Sequence, residues 1–320
     1  MIIGKTRAML DLMAIATKAA EQGNCSVVIT GETGTGKELL AEYIHTRSPR
    51  GKTGPLVAIN CSALNQHLIE SELFGHERGA FTGAFAAHPG VFEQAYAGTV
   101  FLDEIGEMSE AAQAKLLRVA EKRLVRRIGA TKEIPIDVRI VCATNANLEE
   151  LVQLKRFRQD LFYRLNVVSV RLPPLRERRE DIDSITDHLL GQVKRENPSS
   201  IVTSISSEAR TKLRQYSWPG NIRELRNVVE RMVIACEGTE AGVADMPLLM
   251  EPPPALIKND LKAATRQIKA NQVREALIQA KGNVSKAARS LGMNRTSLVR
   301  IMVSNEINPD DFRSTSRTIN

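Results

Sequence analysis

The chain has 320 residues, 42% of them hydrophobic and 25% charged, which predicts two or three globular domains and excludes a disordered chain. No apolar run approaches about 18 residues, and the first residues lack the pattern of a secretory signal, so neither a membrane span nor secretion is predicted. The net charge of +7 lies entirely in residues 255–320, where five lysines and seven arginines stand against three aspartates and two glutamates, which predicts a polyanion-binding end.

A parallel α/β domain is predicted for the first half of the chain. Residues 7–22 have apolar side chains at helical spacing, and the apolar residues 26–30 then lead through the glycine-rich residues 31–37 into a helical pattern at 39–44. Strand, loop and helix in this order are typical of the start of a parallel sheet. Three further apolar segments predict buried strands: residues 56–59, 99–102 and 138–143.

Prolines and charge mark the later boundaries. Pro173 and Pro174 end the α/β pattern, residues 178–236 show only helical periodicity, and the Glu-Pro-Pro-Pro run at 251–254 cannot continue a helix. Helical spacing resumes near residue 260 and ends near residue 303, before a polar tail that we expect to be frayed. The predicted domains are an α/β domain at 1–172, a small all-helical domain at 173–250, a linker at 251–259, a basic helical domain at 260–304 and a tail at 305–320.

The four cysteines, Cys25, Cys61, Cys142 and Cys236, lie far apart and lack the spacing of metal ligands. Three of them lie in apolar runs. We therefore expect buried, reduced thiols in a cytosolic (cytoplasmic) protein.

The glycine-rich residues 31–37 have the pattern of a phosphate-binding loop. They follow a predicted strand and precede a predicted helix, a context in which backbone N–H groups and the helix N-terminus are directed towards an anion. Lys37 would reach the β- and γ-phosphates of a nucleotide. Glu38 stands where the general pattern has serine or threonine to hold magnesium. A chance glycine-rich turn is the alternative interpretation.

Polar side chains end two of the predicted strands. Asp103 and Glu104 follow one strand, a place where unpaired charges are costly. Asp103 would hold magnesium, and Glu104 would polarise the attacking water as a general base. Asn145 follows another strand at the sheet edge where ligands bind, so it could orient the water or sense the γ-phosphate. The alternatives are solvated acids and an asparagine that caps a turn.

The order of these and other motifs resembles the sigma-54-dependent transcriptional activators, the bacterial enhancer-binding AAA+ ATPases. The resemblance extends over about residues 2–303. The motifs that carry it are at residues 31–38, 72–77, 79–84, 101–105, 157–166, 174–178 and 218–225. It implies an α/β fold, namely an AAA+ P-loop parallel sheet with a helical lid, followed by an all-α helix-turn-helix domain. It also implies an ATPase that uses Mg2+.

The resemblance assigns roles around the nucleotide. Glu38 ends the phosphate loop as it does in the family, Asn60 matches the residue that pairs with the catalytic glutamate, and Arg223 matches the second sensor arginine. The implied nucleotide-binding residues are Gly31, Glu32, Thr33, Gly34, Thr35, Gly36, Lys37, Glu38, Asn145 and Arg223. The implied catalytic residues are Lys37, Asn60, Asp103, Glu104, Arg158 and Arg164.

The resemblance also identifies two sets of residues that would contact other proteins: a neighbouring subunit and sigma-54. Arg158 and Arg164 match arginines that act on the neighbouring subunit, and because they are six residues apart we expect at least one to lie outside their helix. Surface ion pairs are the alternative for both. The loop that contacts sigma-54 corresponds to Gly79, Ala80, Phe81, Thr82, Gly83 and Ala84. From the residues alone, a hairpin turn with Phe81 folded into the core remains open, and Trp218 is expected to be a packing anchor.

Residues 282–300 fit a helix-turn-helix similar to the Fis-type element of these activators. Gly292 would end the first helix, Asn294 would cap the second, and Leu298 with Ile301 would face the core. The low aromatic content favours duplex DNA over single strands. The candidate DNA contacts are Lys286, Asn294, Arg295, Thr296, Ser297 and Arg300. A helical hairpin with a solvated basic face is the alternative.

The resemblance implies a function. The chain would bind enhancer DNA, form a homo-oligomer from dimer to hexameric ring, and use ATP to open the complex of sigma-54 RNA polymerase at a promoter. The alternative is a DNA-binding repressor or adaptor with a non-remodelling ATPase core. Ile2 and Ile3 already resemble the start of the ATPase domain, without the N-terminal regulatory domain common in the family. Either a separate protein regulates the chain in trans or the sequence is truncated.

Overall fold

The structure, a computed structural model, describes residues 2–62, 66–247, 273, 275–280, 282–304 and 307. Contacts between residues divide the chain into two units, Met1–Met250 and Glu251–Asn320. The predicted linker at 251–259 lies outside the described residues, and the finer domain boundaries stay predictions. Within the described part of the chain, no helix has the length and apolar character needed to cross a bilayer.

The first unit alternates strands and helices up to residue 171. Its strands are β1 Val27–Thr30, β2 Leu56–Asn60, β3 Thr99–Asp103, β4 Leu124–Val125, β5 Ile134–Pro135, β6 Arg139–Thr144, β7 Val168–Arg171, β8 Ser204–Ile205 and β9 Glu240–Ala241. Its helices are α1 Arg7–Glu21, α2 Lys37–Arg47, α3 Gln66–Phe74, α4 Val91–Gln94, α5 Glu110–Lys122, α6 Leu148–Gln153, α7 Gln159–Leu165, α8 Ile182–Glu196, α9 Ser207–Gln215 and α10 Asn221–Ala235.

Five strands form a parallel sheet in the order β2-β3-β6-β1-β7. Asn60 stands opposite Asp103, and Thr30 stands opposite Thr144. The carboxyl ends of these strands therefore share one edge, and the polar residues that follow them meet there. The predicted strands are present. The edge strand β7 is not identified from the sequence, because its residues Val-Ser-Val-Arg alternate in polarity instead of forming an apolar run.

Alternate residues of the strands face two separate cores, as the twofold period of a strand requires. Val28 and Leu102 pack into a cluster with residues of α5 and α7. Ile29 and Phe101 pack on the opposite face with residues of α1 and α2. The sheet is thus covered on both sides, which explains why its central strands have almost no polar residues before their carboxyl ends.

A third core joins α8, α9 and α10 into a lid. Trp218 is fully buried in it, and its indole N–H donates to the Leu213 carbonyl at 2.7 Å, so its predicted packing role is confirmed. The prediction of an all-helical domain is wrong in one detail. Strand β8 pairs in parallel with β9, because the chain after α10 returns alongside the segment before α9.

In the second unit, residues 275–279 are helical, and two further helices follow with full bounds, α11 Val284–Ser290 and α12 Arg295–Ser304. Gly292 has a φ of 65°, as a glycine that ends a helix requires, and Asn294 caps α12 by accepting the Ser297 N–H at 2.8 Å. Leu298 is fully buried as predicted, whereas the side chain of Ile301 lies outside the described residues.

Two expectations about burial are corrected. Cys61 and Cys142 are buried, but Cys25 and Cys236 are partly exposed, because they lie just before β1 and just after α10 rather than inside an element. Ile307, in the segment expected to be frayed, is buried against the helices of the second unit and donates its N–H to the Met302 carbonyl at 3.0 Å.

Candidate nucleotide-binding site

The glycine-rich loop joins β1 to α2 at the edge where the strands end. Gly34 and Gly36 have φ angles of 80° and 102°, which favour glycine because a side chain would be strained there. Gly36 stands directly before Lys37, the first residue of the 11-residue helix α2. Backbone N–H groups without helical partners and the positive end of the helix dipole therefore meet at this loop, as a phosphate group requires.

Lys37 connects the loop to the end of β3. Its ammonium group donates to the carbonyl oxygens of Gly31 at 3.0 Å and Glu32 at 3.4 Å, and its Nζ lies 3.5 Å from Glu104 Oε1. Lys37 is buried, and Glu104 has a left-handed φ of 52° that turns the chain directly after Asp103. The predicted cation and the predicted general base are thus adjacent.

Asn60 contacts a different carboxylate from the one expected. Its Nδ2 donates to Asp103 Oδ2 at 3.4 Å and not to Glu104, because the register of β2 and β3 sets Asn60 opposite Asp103. Burial raises the pKa of Asp103, and the neighbouring Glu104 raises it further. Two adjacent carboxylates therefore differ in partner: Asp103 is held by Asn60, and Glu104 by Lys37.

Asn145 bridges the loop and the general base. Its backbone N–H donates to Glu104 Oε2 at 3.0 Å, and its side chain donates to Thr33 Oγ1 at 3.1 Å. The capping alternative falls to Asn147, whose side chain accepts the N–H groups of Glu149 and Glu150 at the start of α6. Asn145 is therefore placed to respond to both the phosphate loop and the base.

Asn221, at the start of α10, joins the lid to the phosphate loop. Its side chain is fully buried, donates to the Thr33 carbonyl at 3.1 Å and accepts the Leu175 N–H at 2.7 Å. The N–H of the next residue, Ile222, donates to the Gly34 carbonyl at 2.9 Å. Asn221 was not predicted as a site residue from the sequence. The signal that could have identified it is its position directly after Pro219 and Gly220, because asparagine tolerates a left-handed φ, here 53°, better than most residues.

Glu32 and Arg176 form a second, exposed connection between the loop and the lid side. The guanidinium binds the carboxylate with both nitrogens, at 2.8 and 2.5 Å. This hydrogen bonding lowers the pKa of Glu32. Arg223 lies one turn into α10, exposed, with its Cβ 3.2 Å from where a Cβ on Gly34 would stand. The predicted sensor arginine thus stands next to the loop.

An apolar pocket that the sequence analysis did not identify lies beside Gly36. Apolar lining side chains come from four parts of the first unit, the N-terminal segment, α2, α8 and α10: Ile2, Ile3, Leu39, Ile185, Leu189 and Ile222. Asp181 holds the N-terminal segment in place, since its carboxylate accepts the backbone N–H groups of Lys5 at 2.7 Å and Thr6 at 3.1 Å. A flat apolar group attached to a phosphate chain would fit between these walls.

Of the two predicted trans-acting arginines, Arg164 is exposed and Arg158 is partly exposed. Arg158 immediately precedes α7, which agrees with the expectation that one of them lies outside the helix. Its guanidinium binds Asp160 at 3.1 and 2.7 Å, whereas that of Arg164 donates to the Ala120 carbonyl at 3.1 and 3.0 Å. Ion pairs near the surface are weak, so Arg158 can exchange its partner Asp160 at little cost.

The loop at residues 77–87 is closed at its base by a backbone pair between His76 and His88. Gly79 and Gly83 have φ angles of 81° and 106°, and a Cβ on either would have no neighbour within 4 Å. Phe81 is 40% exposed with its ring 5.0 Å from that of His76, so it is not folded into the core. The loop is open to solvent at these two glycines and at Phe81, as a contact arm requires, while Ala84 is buried and Ala80 lies beside Gly129.

The six predicted DNA contacts in the second unit are exposed. They are Lys286, Asn294, Arg295, Thr296, Ser297 and Arg300. The small side chains of Ala287 and Ala288 are buried between the helices instead, so the polar residues are left at the surface.

The fold and this site define a class: an AAA+ P-loop nucleotide-binding domain with a helical lid, combined with a helix-turn-helix. Residues 2–171 match the family described as Sigma-54 interaction domain, residues 176–260 match the AAA+ ATPase lid domain, and residues 266–302 match the Fis family of bacterial regulatory proteins.

Similar proteins agree with that class. The regulatory protein AtoC of Escherichia coli is 43% identical over 97% of this chain and 68% of its own length, and the transcriptional regulatory protein GlrR of the same organism is 43% identical over 98% and 69%. The crystal structure of NtrX from Brucella abortus in complex with ATP has a TM-score of 0.71 at 33% identity, covering 95% of this chain and 69% of that one. The chain belongs to the sigma-54-dependent transcriptional regulators, with an ATP-binding AAA+ domain, and the predicted fold class is confirmed.

Proposed function

We propose that copies of this chain assemble into a ring, hydrolyse ATP between neighbouring copies, and use that energy to convert the closed complex of sigma-54 RNA polymerase into the open complex. The observation that carries the proposal is the meeting of Lys37, Glu104 and Asn145 at one sheet edge, beside a helix N-terminus. These groups are a cation for phosphates, a base for water and an amide that contacts both the base and the phosphate loop.

The chain offers matching groups for each part of ATP. The apolar pocket beside Gly36 suits the base, and the loop with Lys37 suits the β- and γ-phosphates. Arg223 stands next to Gly34, so a phosphate on the loop would be within reach of its guanidinium. ATP and ADP would share the contacts to the base and the β-phosphate. Lys37 and Asn145 are the groups that would contact the γ-phosphate, which only ATP has.

Asp103 would hold Mg2+ through a carboxylate, the hard oxygen ligand that this ion prefers, next to the carboxylate of Glu104. Magnesium, when bound, would neutralise charge on the triphosphate. Glu104 takes a proton from the attacking water as the water oxygen bonds to the γ-phosphorus. The bond from the γ-phosphorus to the bridging oxygen breaks, the departing ADP keeps its electron pair, and inorganic phosphate is formed. Arg158 and Arg164 of a neighbouring copy stabilise the charge that develops on the γ-phosphate.

The loop that bears Phe81 and Thr82 carries the resulting movement to sigma-54, while α12 of the second unit holds the chain on enhancer DNA upstream of the promoter. Support for the first role is the exposure of Phe81 and of the open turn at Gly79 and Gly83, and support for the second is the exposed basic surface of α12. We also propose that a separate protein regulates the chain in trans.

The test uses the full chain with ATP, sigma-54 RNA polymerase and promoter DNA. We expect hydrolysis and open-complex formation, both lost in Lys37→Ala, whereas Thr82→Ala keeps hydrolysis and loses open-complex formation. Thr53→Ala, an exposed threonine of the same domain outside the loop, is the control and should retain both. If the wild-type chain bound promoter DNA but opened no promoter, the chain would act as a DNA-binding regulator without remodelling. If Thr82→Ala opened promoters normally, the loop residue Thr82 would have no part in the remodelling.

A further inference from the structure

One side chain at the end of the loop has no role in the function proposed above. Phe85 is 88% exposed, the largest exposed fraction among the large hydrophobic side chains that the structure describes. It lies four residues after Phe81 and directly after the buried Ala84. A single exposed apolar side chain is common, whereas exposed apolar residues grouped in a patch mark interaction surfaces, and Phe81 is exposed on the same loop.

The backbone fixes Phe85 in this outward position. Gly83, with its φ of 106°, allows a tight turn in which the Phe85 N–H donates to the Gly83 carbonyl at 2.9 Å. In the same turn the Ala84 N–H donates to the Phe81 carbonyl at 3.0 Å, and the Ala84 carbonyl accepts the Gly79 N–H at 2.8 Å. The small side chain is thereby turned inward and the aromatic one outward.

We propose that Phe85 is a second aromatic anchor of the loop, which inserts together with Phe81 into an apolar surface of sigma-54. This inference rests on the proposed function and adds a residue to it. The two rings differ in support, since Phe81 contacts the His76 ring at 5.0 Å and is 40% exposed, whereas Phe85 is almost fully in solvent. Phe85 would therefore become buried only when a partner protein binds.

The charge of the loop favours a protein over a nucleic acid as that partner. Residues 79–87 contain no lysine, arginine, histidine, aspartate or glutamate. Binding to DNA strands draws most of its affinity from cations that neutralise phosphates, and aromatic stacking on single strands is combined with a positively charged groove. An uncharged segment with two phenylalanines instead matches the apolar, charge-depleted centre of a protein interface.

The experiment measures binding of fluorescently labelled sigma-54 to the full chain with ADP and aluminium fluoride, which mimic the transferring phosphoryl group. Phe85→Ala should weaken binding about tenfold or more, because it removes an aromatic anchor from the centre of an interface. Phe85→Leu should retain most of the affinity, since it keeps the apolar surface. Tyr96→Ala, which removes a 62% exposed aromatic residue outside the loop, is the matched control and should bind like the wild type.

Hydrolysis rate, self-association and binding to promoter DNA alone are measured on the same variants and should not change in Phe85→Ala. The inference is overturned if Phe85→Ala binds sigma-54 like the wild type while Phe81→Ala does not, an outcome that leaves the proposed function intact. It is also overturned if Phe85→Ala loses DNA binding or self-association instead. A wild-type chain that fails to bind sigma-54 overturns the proposed function and this inference together.

Discussion

Glu104 shows how one residue position separates two carboxylates that are adjacent in sequence. Its left-handed φ of 52° redirects the chain after Asp103, so that its side chain meets Lys37 and the Asn145 N–H. Asp103 instead keeps the direction of the strand and meets Asn60. A non-glycine residue in this conformation is strained, and such strain is retained where the orientation of a side chain matters.

This orientation leads to a prediction for Glu104→Gln. Glutamine keeps the shape and can still accept the Asn145 N–H, but it cannot take a proton from water. We expect ATP binding close to that of the wild type and a loss of hydrolysis of about 100-fold or more. Nucleotide binding by fluorescence and phosphate release measure the two effects. Glu107→Gln, an exposed glutamate three residues later, is the control. Normal hydrolysis by Glu104→Gln would exclude this residue as the base.

Much of this arrangement was predictable from the sequence, and the reason is geometric. Strands that end in Asp103, Thr144 and Thr30 must place their following residues at one edge when the sheet is parallel. The partner of Asn60 was not predictable, because it depends on the register of two strands and on the unusual φ of Glu104. Asn221 escaped prediction because its burial comes from contacts with a loop almost 190 residues earlier.

At the scale of elements, the start of α10 is the link between the phosphate loop and the lid. A single buried side chain, that of Asn221, bonds to the Thr33 carbonyl and to the Leu175 N–H, and the following backbone N–H bonds to Gly34. A Cβ on Gly34 would lie 2.3 Å from the Gly220 carbonyl oxygen, so the loop and the lid have no spare space between them. A shift of the loop must therefore move α10.

Asn221→Ala tests this link. The change leaves the buried Leu175 N–H and Thr33 carbonyl without their partner and places alanine at a positive φ, so we expect a loss of about 2–4 kcal/mol in the free energy of unfolding. We also expect weaker ATP binding. Denaturant unfolding and nucleotide titration measure the two effects. Asn227→Ala, on the exposed face of the same helix, should change neither. Equal stability of both variants would contradict a coupling role for Asn221.

The Glu32–Arg176 pair allows a pH prediction for the same link. Because Arg176 lowers the pKa of Glu32, the pair stabilises the fold above the ordinary pKa of glutamate and loses this effect as the pH falls through the lowered pKa. The pair is partly exposed, so its contribution is at most about 1 kcal/mol. Arg176→Ala should therefore be less stable than the wild type near neutral pH and equal to it in acid. Lys194→Ala, a partly exposed cation of α8, should show no such pH-dependent difference.

The elements that the sequence did not predict are short ones. Strands β4, β5, β8 and β9 have two residues each, which is too few for a periodicity. Long elements were predicted well because apolar spacing over several turns or a continuous apolar run decides their type. The sequence did not decide whether Phe81 is exposed or buried, since the same residues allow a hairpin turn with Phe81 folded into the core.

At the scale of the whole molecule, charge is separated from catalysis. The excess of twelve cations over five anions lies in residues 255–320, while the nucleotide site lies in the balanced remainder. We expect Arg295→Ala and Arg300→Ala each to weaken duplex DNA binding and to reduce the slope of log affinity against log salt by about one. Arg231→Ala, an exposed arginine of α10, changes the net charge equally and should leave the slope unchanged. An equal effect of all three would indicate binding by net charge alone.

We expect the catalytic site of one copy to be incomplete without an arginine from its neighbour. Arg158 is partly exposed and forms a weak ion pair with Asp160, so a phosphate on a neighbouring copy can replace that partner. If the arginine acts across an interface, Arg158→Ala and Glu104→Gln are each inactive alone but complement each other when mixed. A mixed ring contains sites with an intact Glu104 that receive an intact Arg158 from the next copy.

In an equal mixture about a quarter of the head-to-tail interfaces combine both intact residues, so hydrolysis should return towards that fraction of the wild-type rate. The measurement is phosphate release as the two variants are titrated against each other at constant total concentration. Mixing Glu104→Gln with Lys37→Ala is the control and should restore nothing, because both changes fall in the same copy's half of the site and no interface regains the cation and the base together. An inactive mixture of the first pair, with rings still formed, would mean that Arg158 serves its own copy.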